Sequence, residues 1–392
     1  MLVDEIAQET VSRERTRWRA RAGGIELFFD IDNVNGAEHN NPADSFAVMA
    51  MAPAMLRGEP LRVVGAPVST VLAQNLLEVQ KIWNAINPRY QKVPLQLETR
   101  DGQQGGEDVS ILFSAGVDSM GAFQEHEAEL TSSIMIFGFD MDKEQDAVER
   151  SIDRNRALME RRGKELRTVV TNQLQWGLAL ELWRPFVYTA YLAAASYFFA
   201  PQRLYIASAQ PYVHPALDGS MAYLDPLWSN GTTEVRHTGA EFRRSVKLER
   251  VSEDEDLIRN LRVCFFDQNE NCGQCAKCIR TMIGLRSIGM KGPFPRTIED
   301  REIRKLEIGR LKDLEYTQDN LLLATRRGDI KTAKALRASI RRYDRREALK
   351  AFDRGFLRGA LRKIRNRVRK VISSREPWDA PVFPNPRLDL EP

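Results

Sequence analysis

The stretch that decides the fold is ILFSAGVDSMGAF, residues 111–123. Apolar residues at 109–113 predict a buried strand and residues 120–123 open a helix, so a short turn of small residues joins a strand to a helix N-terminus. The first N–H groups of a helix have no partner inside it, and the macrodipole adds partial positive charge there. The sequence therefore predicts an anion-binding turn at residues 114–119.

Small side chains in this turn would let a phosphate approach the backbone. Gly116 can adopt a positive φ, Ala115 adds only a methyl group, and the hydroxyls of Ser114 and Ser119 can donate to phosphate oxygens. A carboxylate beside bare phosphate is unfavourable, so Asp118 indicates a hydrated Mg²⁺ that bridges to the phosphates. The alternative is an ordinary strand-turn-helix junction.

The six residues SAGVDS resemble the SGGxDS signature of the PP-loop ATP pyrophosphatases, the adenine nucleotide α-hydrolase-like superfamily. The Lys-Ser/Thr spacing of a Walker loop is absent. Enzymes of this superfamily cleave ATP between the α- and β-phosphates and adenylate their substrate. The one departure is Ala115, where the signature has glycine. The resemblance implies that ATP and Mg²⁺ are held by Ser114, Ala115, Gly116, Val117, Asp118 and Ser119.

Length and composition predict a soluble globular protein of two or three domains. The chain has 392 residues, 43% of them hydrophobic, and a net charge of +4. The start, MLVDEIAQET, is too polar for a signal peptide, and the apolar run at 187–200 is too short to cross a bilayer. All four cysteines lie within residues 264–278, so we expect a reducing, cytoplasmic location and no membrane partner.

Alternating strand and helix signals predict an α/β fold with a parallel sheet. Residues 1–106 form a predicted N-terminal α/β extension, with strands at 25–31, 61–64 and 93–97 and a helix at 71–86. A hinge at 101–107 leads into a catalytic domain at 107–292. Its predicted strands are 109–113, 133–139, 166–171 and 204–207, and its predicted helices are 145–162 and 178–199. A polar loop at 208–238 has the length of an active-site loop.

The end of the second strand of this domain carries Gly138 and Asp140. Ligands of open α/β sheets lie at the carboxyl ends of the strands, so both residues would face the same crevice as Ser114. The run GFDMD, residues 138–142, also resembles the end of the second strand in the PP-loop superfamily, which holds the nucleoside portion of ATP. Helix capping by Asp142 is the alternative.

A cationic cluster follows the polar loop, with Arg244 and Lys247 in the text EFRRSVK. Fixed cations stabilise the charge that develops when phosphoryl or adenylyl groups transfer. We therefore expect Arg244 and Lys247 to act with Asp118 in catalysis, and a solvated helix face is the alternative.

The four thiols of Cys264, Cys272, Cys275 and Cys278 follow the pattern C-x7-C-x2-C-x2-C. Four thiolates complete a tetrahedral Zn²⁺ site, and with no position open to water such a site is structural. The alternative is an iron–sulfur cluster, because C-x2-C-x2-C also occurs in ferredoxins, although their C-x3-C-P ending is absent here. The sequence favours zinc in segment 264–278.

The turn and the four cysteines together resemble the 7-cyano-7-deazaguanine synthase family over roughly residues 108–290. In that family ATP activates the carboxylate of 7-carboxy-7-deazaguanine, ammonia makes the amide, and a second activation gives the nitrile. The resemblance implies a PP-loop (HUP) type of sheet with a zinc segment. Between the third strand and the cysteines this chain has HPALDGSMAYLDPLWS and HTGAEFRRSVK in place of the family's usual substrate-binding text, and it adds about a hundred residues at each end.

The C-terminal region, residues 293–392, is predicted to be helical and basic. Arginines recur from Arg337 to Arg369 between apolar residues at helical spacing, and the end at 377–392 is proline-rich. A one-sided cluster of this kind binds nucleic acid or an acidic protein, whereas a solvated bundle capping the core is the alternative.

The expected function is that of an ATP-dependent ligase, which adenylates a carboxylate related to 7-carboxy-7-deazaguanine and passes it to ammonia or an amine. The terminal additions would suit a protein acceptor in a bacterial defence or biosynthetic system, and a homodimer is a possible assembly. Three alternatives stay open: a nitrile-forming synthase, a PP-loop thiolation enzyme acting on RNA, and a nucleotide-sensing scaffold without catalysis.

Overall fold

The computed structural model describes residues 1–32, 42–101, 106–138, 145–180, 182, 186–215, 220–264, 266, 269–309 and 311–355. Its strands are β1 (Leu2–Ser12), β2 (Arg15–Ala22), β3 (Ile25–Asp32), β4 (Leu61–Val63), β5 (Val68–Ser69), β6 (Leu95–Gln96), β7 (Thr99–Arg100), β8 (Val109–Leu112), β9 (Ser132–Phe137), β10 (Glu165–Thr171), β11 (Arg203–Ala207) and β12 (Glu234–Thr238). Its helices are α1 (Pro42–Arg57), α2 (Thr70–Ile86), α3 (Val117–His126), α4 (Gln145–Arg161), α5 (Gln173–Ala179), α6 (Tyr188–Ser196), α7 (Arg244–Ser252), α8 (Glu255–Asn260), α9 (Ala276–Ile288), α10 (Asp300–Arg304), α11 (Leu311–Arg326) and α12 (Ile330–Gly355).

Ten of the strands form one sheet, in the order β12-β11-β8-β9-β10-β3-β2-β1-β4-β6. The first five are mutually parallel, which confirms the expected α/β class with a mostly parallel sheet. The chain enters this parallel unit at β8, moves outward through β9 to β10, and then returns to the other side of β8 for β11 and β12. In such a doubly wound sheet the ligand crevice lies where the direction reverses, here at the carboxyl ends of β8 and β11.

Side chains alternate between two apolar cores, one on each face of the sheet. Leu112 and Ile134 belong to one core, and their neighbours Ile111 and Met135 belong to the other. Helices α1, α2 and α6 contribute side chains to the first core, and α3, α4, α7, α9 and α12 contribute to the second. The central strands are therefore buried on both sides, which is why they read as apolar runs.

The N-terminal strands extend the same sheet across the predicted boundary at residue 106. Strand β3 pairs antiparallel with β10, with Ile31 opposite Val169. The predicted strands at 25–31 and 61–64 and the helix at 71–86 are confirmed as β3, β4 and α2. Strands β1 and β2 were not predicted, because neither has an apolar run and β1 is largely solvent-exposed.

Two predictions on the catalytic half need correction. The predicted helix at 178–199 is divided into α5, α6 and a 3-10 turn at Tyr197–Phe199, because Leu180 ends α5 and the chain starts a new helix at Tyr188. The predicted loop at 208–238 ends in β12 and contains a 3-10 turn at Asp225–Trp228. Within the described residues no helix is long and apolar enough to span a membrane.

The predicted helical character of the C-terminal region is confirmed for α10, α11 and α12. Part of the predicted hinge, residues 102–105, and the whole of 356–392 lie outside the described residues, so the predicted arginines from Arg358 to Arg369 are not placed.

Gly138 makes the closest backbone approach at the carboxyl edge of the sheet. It has φ +91°, and an added Cβ would lie 1.8 Å from the Thr171 carbonyl oxygen. Gly138→Ala should therefore lower the free energy of unfolding by about 3 kcal/mol or more, since strain and overlap add. Gly163→Ala is the matched control, because its φ is +63° but its added Cβ meets nothing within 4 Å. Equal denaturant midpoints for the two variants would contradict this prediction.

Candidate functional site

The predicted turn connects β8 to α3, but its backbone differs from the expectation. Ala115 has a positive φ of 57°, whereas Gly116 is extended, with φ −85° and ψ 165°. The left-handed conformation costs an alanine roughly 1–2 kcal/mol, which a glycine at this position would avoid. At Gly116 an added Cβ would lie 3.3 Å from Ser114 Oγ, a tight contact that a small shift of this exposed side chain would relieve.

The two serines bracket the turn. The Ser119 hydroxyl donates to the Gly116 carbonyl at 3.1 Å and accepts from the Ser114 backbone N–H at 3.2 Å. Ser119 is buried, while Ser114 is exposed at the mouth of the turn. Gly116, the N-cap of α3, provides no side-chain cap for the first-turn N–H groups at Val117 and Asp118. The turn therefore presents backbone donors at the crevice, as the sequence predicted.

Asp118 is the carboxylate at the centre of the site. The Arg244 guanidinium donates to its Oδ2, and Lys247 Nζ lies 3.6 Å from its Oδ1. Lys247 is buried and also donates to the Ser208 carbonyl at 2.7 Å. Burial disfavours the charged form of Asp118, but the surrounding cations outweigh burial and hold its pKa below the ordinary value. The structure thus brings together all three residues that were predicted to be catalytic.

Two further cations, Lys277 and Arg280, approach the same carboxylate from α9. Burial and the charges of Arg244 and Arg280 lower the pKa of Lys277 to about 8. Burial, followed by the charge of Arg244, also lowers the pKa of Arg280, whose guanidinium lies 3.9 Å from the Tyr316 ring centroid. Burial is the main cause of both shifts and neighbouring positive charge is the second, so a bound anion would favour the charged forms of Lys277 and Arg280.

The sequence analysis missed Lys277 and Arg280. Their three-residue spacing in CAKCIR places them on one face of a helix, which was the available signal. Gly138 lies at the end of β9, the strand next to β8, and its carbonyl accepts from the Leu174 N–H at 3.1 Å. Asp140 lies outside the described residues.

The four thiols meet in one cluster. The sulfur atoms of Cys264, Cys272, Cys275 and Cys278 all lie within 4.8 Å of one another, and the sulfurs of Cys272 and Cys278 are 3.9 Å apart. A tetrahedral zinc–thiolate site places its sulfurs roughly 3.8 Å apart, so these residues fit a metal such as zinc. Backbone N–H groups at Gln274 and Cys275 donate to the Cys272 sulfur at 3.4 and 3.3 Å, as expected around a thiolate.

The cluster of four thiols is joined to the turn by a backbone hydrogen bond. The Arg262 N–H donates to the Ala115 carbonyl at 2.8 Å, two residues before Cys264. Cys275 is the N-cap of α9, and its sulfur accepts from the Cys278 N–H at 3.4 Å. Lys277 and Arg280 lie on the first turns of this helix, so they share one element with Cys275 and Cys278 of the thiol cluster.

Comparison of the chain with protein-family models, with curated proteins and with solved structures found no match. Function is therefore inferred from the turn, the cations around Asp118 and the thiol cluster. Together they place several cations around Asp118, and four thiols that fit a metal such as zinc, beside one helix N-terminus.

Proposed function

We propose that the chain is an ATP-dependent, AMP-forming ligase, which adenylates a carboxylate and transfers the acyl group to an amine. One observation carries the proposal: Asp118, on the first turn of α3, lies among Arg244, Lys247 and Arg280. A helix N-terminus with several cations and one carboxylate suits a metal-bound triphosphate better than a single phosphate.

The position of the site in the sheet supports a nucleotide ligand. The turn follows β8, the strand from which the doubly wound unit starts in both directions. Gly138, at the end of β9, lies on one side of the turn, where the resemblance to the PP-loop superfamily implies the nucleoside. The carboxylate substrate would then lie on the other side, over β11 and β12. The same resemblance suggests 7-carboxy-7-deazaguanine as that substrate.

Different residues of the chain would bind the phosphates and stabilise the leaving group during adenylation. The N–H groups of the first turn of α3 bind the phosphates, while Arg244 and Lys247 stabilise the negative charge on the departing pyrophosphate. These donors are held before the reaction, because Arg244 is fixed by Asp118 and Lys247 by the Ser208 carbonyl. Little reorganisation is then needed in the transition state.

Asp118 fits a role in binding Mg²⁺. Its Oδ1 atom is buried and makes no hydrogen bond within the described part of the chain, so it can accept a water of a hydrated ion. Because Arg244 and Lys247 already share this carboxylate, the ion would depend on the phosphates for most of its ligands. Mg²⁺ would supply further charge neutralisation at the leaving group.

The purified protein should release pyrophosphate and AMP when it is incubated with 7-carboxy-7-deazaguanine, α-labelled ATP, Mg²⁺ and ammonium chloride. Mass spectrometry of the product separates amide from nitrile, and a primary amine or a candidate acceptor protein can replace ammonia. Omission of the carboxylate is the control. Release of ADP, or no AMP with any carboxylate tried, would contradict the proposal.

A second candidate, an RNA-modifying PP-loop enzyme, is favoured by the outer face of α12. There Lys331, Lys334, Arg337, Arg341 and Arg345 are exposed and share one side of the helix, opposite its buried face. Cations at this spacing suit a phosphate backbone. RNA that co-purifies with the protein and raises its AMP output would favour this candidate over the first.

A further inference from the structure

Asp225 and His237 form a buried pair outside the cation cluster. His237 Nδ1 and Asp225 Oδ2 are 2.7 Å apart, and the side chains are 5% and 0% exposed. Asp225 begins the 3-10 turn within the long loop, and His237 is the penultimate residue of β12. None of the roles described above uses this pair.

The carboxylate of Asp225 is fixed by further donors. The Thr189 hydroxyl of α6 donates to Oδ1 at 2.8 Å, and the Met221 N–H donates to the same oxygen at 3.3 Å. The Ser220 hydroxyl donates to Oδ2 at 3.3 Å. The Trp228 indole N–H in turn donates to Thr189 Oγ1 at 3.3 Å. Asp225 is therefore a rigid acceptor for the histidine.

This arrangement selects one tautomer of His237. A carboxylate accepts hydrogen bonds only, so Nδ1 must carry the proton, which leaves a lone pair on Nε2. Nε2 makes no hydrogen bond to any residue that the structure describes. A histidine oriented by a carboxylate, with its second nitrogen unengaged, has the chemistry of a general base.

The pair lies on the same edge of the sheet as the phosphate turn. His237 is opposite Ile206 of β11, and the Ser208 N–H after that strand donates to the Thr238 carbonyl at 2.8 Å. The Ser208 carbonyl accepts from Lys247, which lies 3.6 Å from Asp118. Two strand spacings separate β8 from β12, so the backbone of His237 lies about 10 Å across the edge from the end of β8. This is the side assigned above to the carboxylate substrate. The His237 side chain is on the face of the first core, like its partner Ile206.

We propose that His237 is the general base for the amine, with Asp225 as its positioning residue, in the acyl-transfer step of the function proposed above, on which this inference rests. Nε2 removes one proton from the ammonium form of the amine, whose nitrogen lone pair then attacks the acyl carbon of the acyl adenylate. A C–N bond forms and the bond from the acyl carbon to the phosphate oxygen breaks. AMP leaves with that electron pair, and the nitrogen loses its second proton to solvent.

The test separates the two steps in one sample. Carboxylate-dependent exchange of labelled pyrophosphate into ATP reports adenylation, and amide formation from 7-carboxy-7-deazaguanine and ammonium chloride reports transfer. His237→Gln should keep exchange within about twofold of the unsubstituted protein and lower amide formation by about a hundredfold to ten-thousandfold. Asp225→Asn should lower the ratio of amide formation to exchange by a smaller factor, because the base stays present but loses its orientation. Because both rates come from one preparation, a partly unfolded fraction cancels in their ratio.

Hydroxylamine supplies a second readout. It is already unprotonated near neutral pH, so it should restore acyl transfer in His237→Gln, whereas a packing defect would not be bypassed. His214→Gln, in the same loop and without a carboxylate partner in the described residues, is the matched control. An unchanged ratio in His237→Gln, or equal loss of both rates, would overturn the role of His237 while leaving the ligase proposal standing. No exchange by the unsubstituted protein would overturn both.

Discussion

Asp118→Asn is expected to lower the rate of pyrophosphate release by about a thousandfold, while the affinity for ATP stays the same or rises. The amide keeps the shape of the side chain but cannot hold a hydrated Mg²⁺, and it no longer fixes Arg244 by an ion pair. Binding survives because the variant removes a negative charge, and Arg244, Lys247 and Arg280 remain to attract the triphosphate.

Slower turnover combined with unchanged or tighter ATP binding is the result that distinguishes this role of Asp118 from a loss of folded protein. Breaking a part-buried ion pair destabilises proteins by about 3–5 kcal/mol, so a fold defect must be excluded. Calorimetric titration with ATP does so, because only folded protein binds. Asp153→Asn is the control, since that side chain is 77% exposed on α4. If Asp118→Asn turned over at the normal rate, or bound ATP much more weakly, the role given to this carboxylate would be wrong.

Cys278→Ser is expected to remove the bound metal and most of the stability of the second core. Cys278 is fully buried in that core, to which Ile283 and Leu285 of the same helix also belong, and the serine hydroxyl is a poor zinc ligand. Structural zinc contributes on the order of 10 kcal/mol in small peptides at neutral pH, and a larger domain with its own core retains part of its fold without it. Zinc content per chain should fall towards zero and the thermal midpoint should drop.

The same variant should also lose pyrophosphate release, because Lys277 and Arg280 follow the metal ligands on α9. Ala276→Ser, an exposed position on the same turn, is the matched control and should keep its metal. Metal analysis of the unsubstituted protein also separates zinc from iron. A Cys278→Ser protein that melted normally and still released pyrophosphate would show that the cluster is not structural.

Features of the fold and site that are set by residues close together in the sequence could be predicted from local sequence patterns. The strand, turn and helix at 109–126 follow from an apolar run, small residues and helical spacing, and the thiol cluster follows from cysteine spacing. The alternation of Arg15, Arg17, Arg19 and Arg21 was a strand signal that the sequence analysis did not use.

Features that depend on contacts distant in sequence were not predictable in the same way. Ala115, and not Gly116, has the positive φ, in a turn whose carbonyl at Ala115 is bound by the Arg262 N–H. The cations from α9 come near Asp118 because the cysteine segment folds back onto the turn, where the Arg262 N–H meets the Ala115 carbonyl. The Asp225–His237 pair needs a 3-10 turn and an edge strand, neither of which has a strong periodic signal.

The pairing of β3 with β10 has a consequence for synthesis of the chain. Ile31 finds its partner, Val169, only after well over a hundred further residues have been made. At typical translation rates this interval lasts on the order of ten seconds. During that time the hairpin of β2 and β3 carries an open hydrogen-bonding edge, which invites association between nascent chains. The cross-strand ion pair of Arg17 with Asp30 places charge beside that edge and makes such association less favourable.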